Sequence, residues 1–236
     1  LKKVFIAEIG NNHFGSFQNF RELVSAAKDS GATHVKSQLF NPLKLKGSMP
    51  VEFYQKCAEI HHRLPLLEEI AEKAGIHLFF SCFDAFEEYE AKQKFKKIAA
   101  PQSEQIFRHG KVLKRWFIDN KNVIISLGKG IKHFPILSKA VVLHASEYLT
   151  DTPNLGRITE MMRFYDNVYG REKGLVGYSD HTIGIRACID AIEIHGANYI
   201  EKHFTIKKNL KYNGVVFRDT VHGATPKEFQ ELTRRY

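Results

Sequence analysis

The sequence predicts an α/β protein built as a (β/α)8 TIM barrel with a shortened fifth helix, and three observations carry that reading. Short β-branched or aromatic runs recur eight times, stretches of helical spacing separate most of them, and 236 residues suit one large α/β domain better than two small ones. A single domain over 1–236 is therefore expected. The strands are read at Val4–Gly10, His34–Leu39, His77–Phe83, Lys97–Pro101, Val123–Gly128, Val141–Ser146, Val176–His181 and Tyr199–Thr205. The helices are read at Phe17–Ser30, Val51–Ala74, Phe86–Lys94, Ser103–Asn120, Leu155–Tyr169, Ile185–His195 and Pro226–Arg235. Glycines follow several of them, as at Gly31, Gly75 and Gly196, where a left-handed cap needs no Cβ. The fifth connection, Lys129–Lys139, contains Pro135 and has room for about two helical turns, so that spoke is expected to be stunted. The basic segment Lys207–Asn213 reads as a loop with a solvated charge run.

Composition excludes several function classes. No window approaches the roughly 18 apolar residues that cross a bilayer, and the start at Lys2 and Lys3 lacks a cleavage-like site, which suggests a soluble, cytoplasmic protein without a membrane partner. The first residue is Leu1, as an N-terminal trim would leave it. Cys57, Cys82 and Cys188 are odd in number and widely spaced, so neither a disulfide framework nor a thiolate metal site is expected. The formal charge of +9 is spread without a long basic run, which argues against nucleic acid and for an anionic small substrate.

In such a barrel the carboxyl ends of the strands converge on one open face, and here they carry Glu8, Lys36, Gln38, Lys97, Ser126, Ser146, Ser179, Asp180, His181, Lys202 and His203. Buried parallel strands should be nearly all apolar, so the charges in HVKSQ and YIEKHFT need an explanation, and a functional centre supplies one. The two-residue period of a strand puts Glu201 and His203 on one face, and His181 on a neighbouring strand about 4.8 Å away. Two imidazoles at that spacing suit an exchangeable divalent ion, Mn²⁺ first, with Mg²⁺ or Co²⁺ as alternatives, acting as Lewis acid on a carbonyl oxygen. A hydrogen-bonded core histidine is the plain alternative for each. Lys36 and Lys97 end strands two and four, where nearby serines favour a phosphate. Structural salt bridges to Glu8 or Glu201 are the rival reading. The loop Glu8–Gly15 (EIGNNHFG) offers the mixed donors and acceptors of polyol recognition, with Asn12 among them, although a turn with asparagines at positive φ would also explain the amides.

The segments AEIGNNHFG (7–15), VKSQ (35–38), VGYSDHT (176–182) and IEKHFT (200–205) occur in one order, and together they resemble the N-acetylneuraminate (sialic acid) synthase family, which includes legionaminic and pseudaminic acid synthases. The resemblance spans most of the chain. It implies a transferase that condenses phosphoenolpyruvate with the open-chain aldehyde of an N-acetylated amino sugar, giving a nine-carbon 2-keto acid and phosphate with C–O cleavage. It makes His181 and His203 the metal ligands and, with Glu8, the catalytic set. It gives Lys36, Lys97, Ser126, Ser146 and Ser179 to phosphoenolpyruvate, and Gln38, Tyr148 and Asp219 to the sugar side. Four departures stand out. Ala100 and Gln102 occupy positions where the family usually has a serine and an acid; the connection Leu143–Pro153 is one residue short; the fifth helix is abbreviated; and the chain ends after the eighth helix, where many members continue into an antifreeze-like domain that reaches across a homodimer. A sugar isomerase or hydrolase on the same barrel, and a non-catalytic sugar- or phosphate-binding relative, are the competing readings.

Overall fold

Alternation of side chains along short parallel strands organises the molecule. The computed structural model describes residues 2–45, 47–82, 96–98, 123–128, 140–146, 150–169 and 175–236. Within them lies a curled parallel sheet of β1 (Val4–Gly10), β2 (His34–Leu39), β3 (His77–Cys82), β4 (Lys96–Ile98), β5 (Val123–Leu127), β6 (Ala140–Ala145), β7 (Val176–Asp180) and β8 (Tyr199–His203). Each strand pairs with the next in the chain, and β1 pairs with β8, Glu8 standing opposite His203. The limits expected for β1 and β2 are met, and the other strands differ by a residue or two within the described segments.

The helices of the described residues are α1 (Phe17–Asp29), α2 (Val51–Glu59), α3 (Leu64–Ala74), α4 (Gly156–Tyr169), α5 (Arg186–Glu193), α6 (Asp219–His222) and α7 (Pro226–Thr233). The helices read at Phe86–Lys94 and Ser103–Asn120, and the short spoke Lys129–Lys139, lie outside them. Local chemistry sets the ends. Ser16 caps α1 by accepting from the Asn19 N–H at 3.2 Å, and Thr225 and Glu228 form a reciprocal box at the start of α7. The last helix lies against the first, the Thr233 hydroxyl donating to the Ser30 carbonyl at 2.6 Å.

Two expectations are corrected. The helix read through Val51–Ala74 is broken into α2, a 3₁₀ turn at Ile60–Arg63, and α3. Pro65 is the reason, since it has no N–H to give and its ring collides with the carbonyl four residues back. The segment read as a loop at Lys207–Asn213 enters a hairpin of β9 (Lys211–Tyr212) and β10 (Val215–Val216). Asn213 at φ 48 and Gly214 at φ 82 form its turn, the pair such a two-residue connection favours.

Outward side chains such as Ala7, Val35, Ile125, Val142, Tyr178 and Ile200 pack against the helices in one cluster. Inward ones form a floor of Ile6, Phe79, Ile124, Val141 and Leu143. Gly177 belongs to this floor because a Cβ there would lie 2.2 Å from the Tyr199 carbonyl oxygen and 2.7 Å from Leu143 Cδ2. Gly177→Ala is therefore expected to cost about 1–3 kcal/mol through overpacking. Urea unfolding checks it, and an unchanged midpoint would show that the floor has room to spare.

Candidate active site

Directly above the apolar floor the inner positions turn charged. Glu201 on β8 is shared: Lys97 Nζ reaches both its carboxylate oxygens at 2.6 Å, Lys36 Nζ donates to Oε1 at 2.9 Å, and the Ser179 hydroxyl donates to the same atom at 3.0 Å. Lys36 is paired with Glu8 as well. All five side chains are buried. Burial opposes ionisation of Glu201, but the Lys36 and Lys97 ammonium groups outweigh it and hold the carboxyl well below the usual range. The same burial draws Lys36 below the ordinary lysine range, against the pull of Glu201. The salt bridges to Glu8 and Glu201 named as the rival reading for the two lysines are thus present. An ammonium above an apolar floor is too costly to leave unpaired, and the two acids neutralise it.

The imidazoles sit one tier higher. His203 ends β8 and His181 follows β7, with ring centroids 5.4 Å apart, as the two-residue period implies. Ser146 fixes His181 twice: its hydroxyl accepts from the His181 backbone N–H at 2.9 Å, and its carbonyl stands 3.1 Å from Nδ1. A carbonyl only accepts, so Nδ1 carries the proton and Nε2 the lone pair. A third imidazole, His222 of α6, lies 4.6 Å from the His203 ring and 6.1 Å from that of His181. Asp219, on the same helical turn, brings Oδ2 to 3.9 Å from His203 Nδ1. Burial pushes His181 down to about 4 and His222 to about 3, and lowers His203 too, which keeps all three imidazoles neutral as metal ligands must be. His203 Nδ1 is buried with no hydrogen-bond partner among the described residues, so the donor set fits a cation. Sequence reasoning missed His222. Its signal was the three-residue spacing from Asp219, which places both on one side of a single helical turn.

The residues expected on the sugar side meet at a glycine. Gly10 has φ +46, and a Cβ there would lie 3.1 Å from Glu8 Oε1, 3.4 Å from Gln38 Nε2 and 3.5 Å from Asp219 Oδ2. Its missing side chain leaves space where the three expected polar groups converge. Asn12 is bound into the framework, Nδ2 donating to the Phe204 carbonyl at 2.7 Å, with Oδ1 lacking a hydrogen-bond partner among the described residues. Ser126 is buried on the face of β5 that carries Ile124. Tyr148, Ala100 and Gln102 lie outside the described residues. Two strand-end charges are turned away from this centre: Lys202 and Asp180 pair at 2.7 Å on the outer face, where Asp180 also accepts from the Cys188 thiol at 3.2 Å. Phe14, Phe40, Phe53, Tyr54 and Phe217 form a separate aromatic cluster.

A curled parallel α/β sheet with this polar tier has a close structural counterpart. The N-acetylneuraminic acid (sialic acid) synthetase of Leptospira borgpetersenii serovar Hardjo-bovis superposes with a TM-score of 0.77 at 24% identity, over 99% of this chain and 82% of that one, which defines the fold class. Residues 23–236 match the NeuB family model, and the chain belongs to the NeuB family. The resemblance drawn from the sequence motifs is borne out. Among its relatives, an uncharacterized protein of Methanocaldococcus jannaschii is 29% identical over 96% of this chain and 68% of its own length. The N,N'-diacetyllegionaminic acid synthase of Campylobacter jejuni is 28% identical over 89% of this chain and 69% of that enzyme. The pseudaminic acid synthase of the same organism is 28% identical over 89% and 67%. No helix among the described residues is long and apolar enough to cross a membrane.

The shared carboxylate makes Lys97 a strong test of the tier. Lys97→Met strips Glu201 of one of its two cations in a buried setting, with an expected loss of about 3–5 kcal/mol in urea unfolding. Adding Glu201→Gln should restore part of it. A loss no greater than that of an exposed pair, under about 1 kcal/mol, would contradict this account.

Proposed function

We propose that the chain is a sugar-acid synthase on a complete (β/α)8 barrel, condensing phosphoenolpyruvate with the open-chain aldehyde of an N-acetylated amino sugar. Family membership and the names of its relatives support the class. One observation carries the chemistry: two buried lysines converge on Glu201, two residues below His203 on the same strand face, so donors for an anion and for a cation occupy adjoining tiers.

Lys36 and Lys97 hold the phosphoenolpyruvate anion by exchanging part of their contact with Glu201 for its oxygens, and the hydroxyls of Ser126, Ser146 and Ser179 add neutral donors. Glu8, Lys36, Lys97 and Glu201 sum to zero charge, so an entering phosphate dianion finds little net attraction in that tier alone. His181 and His203 would hold a divalent ion, Mn²⁺ in the first instance, which would supply the missing positive charge and polarise the aldehyde oxygen. Glu8 faces the sugar, and the space kept open at Gly10 lets Gln38 and Asp219 reach its hydroxyls; Asn12 and, by the sequence resemblance alone, Tyr148 are assigned to the same side. The lysine tier keeps the phosphoenolpyruvate carbon above an apolar floor that excludes water from below. The carbon–carbon bond forms between its C3 and the aldehyde carbon, water adds at C2, and phosphate leaves with the bridging oxygen.

Release of inorganic phosphate from phosphoenolpyruvate, assayed against a panel of N-acetylated amino sugars with Mn²⁺, Mg²⁺, Co²⁺ or chelator, tests this. Phosphate should appear only when sugar and metal are both present, and ¹⁸O placed in the bridging position should leave with it. His203→Gln should abolish release while the far-ultraviolet circular dichroism is retained. Release without sugar would make the protein a phosphatase, and none with any sugar or metal would favour a non-catalytic relative.

A further inference from the structure

The third imidazole of the cluster has no part in a two-histidine site, yet the fold takes trouble to bring it there. His222 belongs to α6, a single turn reached only after the β9–β10 hairpin. Thr220 anchors that turn, its hydroxyl donating to the Phe217 carbonyl at 2.7 Å and accepting from the Leu210 N–H at 3.0 Å. On its far side the Ala224 N–H donates to the carbonyl of His203 itself at 2.6 Å. The backbone of one imidazole is thus tied to the segment that carries the other. Both are buried, as is Thr220.

We propose that His222 is a third nitrogen ligand, completing with His181, His203 and Asp219 a four-donor site selective for a borderline transition ion such as Co²⁺, Zn²⁺ or Fe²⁺ over Mg²⁺. The ligand atoms of His203, Asp219 and His222 lie within 4.8 Å of one another, the separation of groups that share an ion. The His181 ring stands 5.4 and 6.1 Å from the other two, outside that 4.8 Å group, and its Nδ1 bond to the Ser146 carbonyl leaves Nε2 to reach toward the ion. Donor chemistry sets the selectivity. Mg²⁺ prefers an octahedron of oxygens and keeps its waters, whereas imidazole suits the later first-row ions, whose affinity for nitrogen sites rises along the series. Three imidazoles and one carboxylate hold such an ion without help from a substrate. The proposal rests on the reading of His181 and His203 as ligands and adds to it, and it moves the Asp219 carboxylate from the sugar hydroxyls to the ion.

Calorimetric titration of the purified chain with Co²⁺, followed by the visible absorption of the bound ion, tests the proposal on wild type, His222→Gln and His203→Gln. Loss of an outer partner alone costs about 10–100-fold in metal affinity, so loss of a true ligand should cost at least tenfold. His222→Gln is expected to weaken Co²⁺ by that much and to change the absorption envelope, while an excess of Mg²⁺ fails to displace Co²⁺ from wild type. If His222→Gln binds Co²⁺ as wild type does and His203→Gln does not, His222 is no ligand and the two-histidine reading stands alone. If wild type takes up no Co²⁺, both readings fall. Should His222→Gln not fold, X-ray absorption on Co²⁺-loaded wild type decides instead: imidazole scattering from three rings supports the proposal, and from two overturns it.

Discussion

A carboxylate shared by two buried ammonium groups is the constraint on which the rest of this structure depends. Glu201 gathers Lys36 from β2, Lys97 from β4 and Ser179 from β7, and Lys36 links on to Glu8 of β1. Five strands therefore meet at one polar node directly above the floor of Ile6, Phe79, Ile124, Val141 and Leu143. Below the node the inside of the curled sheet is held by packing, and at the node by charge. Such a node adds little net stability, because desolvation consumes most of the Coulombic gain. Its effect is geometric: every member must be in place, or a buried charge is left without its partner.

That geometry organises everything above it. With the charges below already balanced, the imidazoles of His181, His203 and His222 experience burial more than field, and burial keeps them neutral. The single turn α6 closes the cluster from the side, and the aromatic group around Phe53 and Phe217 braces the hairpin that delivers it, the two rings standing 4.9 Å apart. The tier has a level of paired charges and a level of imidazoles, and one strand, β8, contributes to both through Glu201 and His203.

Much of this was legible in the sequence because strand alternation is a local property. Period two puts Glu201 and His203 on one face and gives eight parallel strands with nearly correct limits. The partners of the lysines were not legible in the same way, since Lys97 and Glu201 are 104 residues apart and meet across the barrel rather than along a strand. The charge of a strand-end lysine announces that a counter-charge exists without saying whether a ligand or a side chain supplies it. His222 is harder to read because it lies between the last strand and the last helix, in a segment without apolar periodicity, although Asn213–Gly214 marks a hairpin and Asp219 sits one helical turn before it. The break at Pro65 is legible too: the apolar periodicity continues through it, while the missing N–H and the clash of the proline ring interrupt the helix.

The motifs SDH and EKH divide their labour by the same alternation. Ser179 stands directly opposite Glu201, and Asp180 opposite Lys202. The first rung points inward and closes with the 3.0 Å bond from the serine hydroxyl to the carboxylate. The second points outward and closes with the 2.7 Å ion pair under α5. A slip of one residue between β7 and β8 would carry Lys202 and Asp180 to the wrong faces and break both rungs at once. The register is therefore locked from inside and outside, and His181 and His203, the next residues along, inherit their separation from it. Half of each motif is chemistry and half is the framework that sets its spacing, so Asp180 and Lys202 position the imidazoles without pointing toward them.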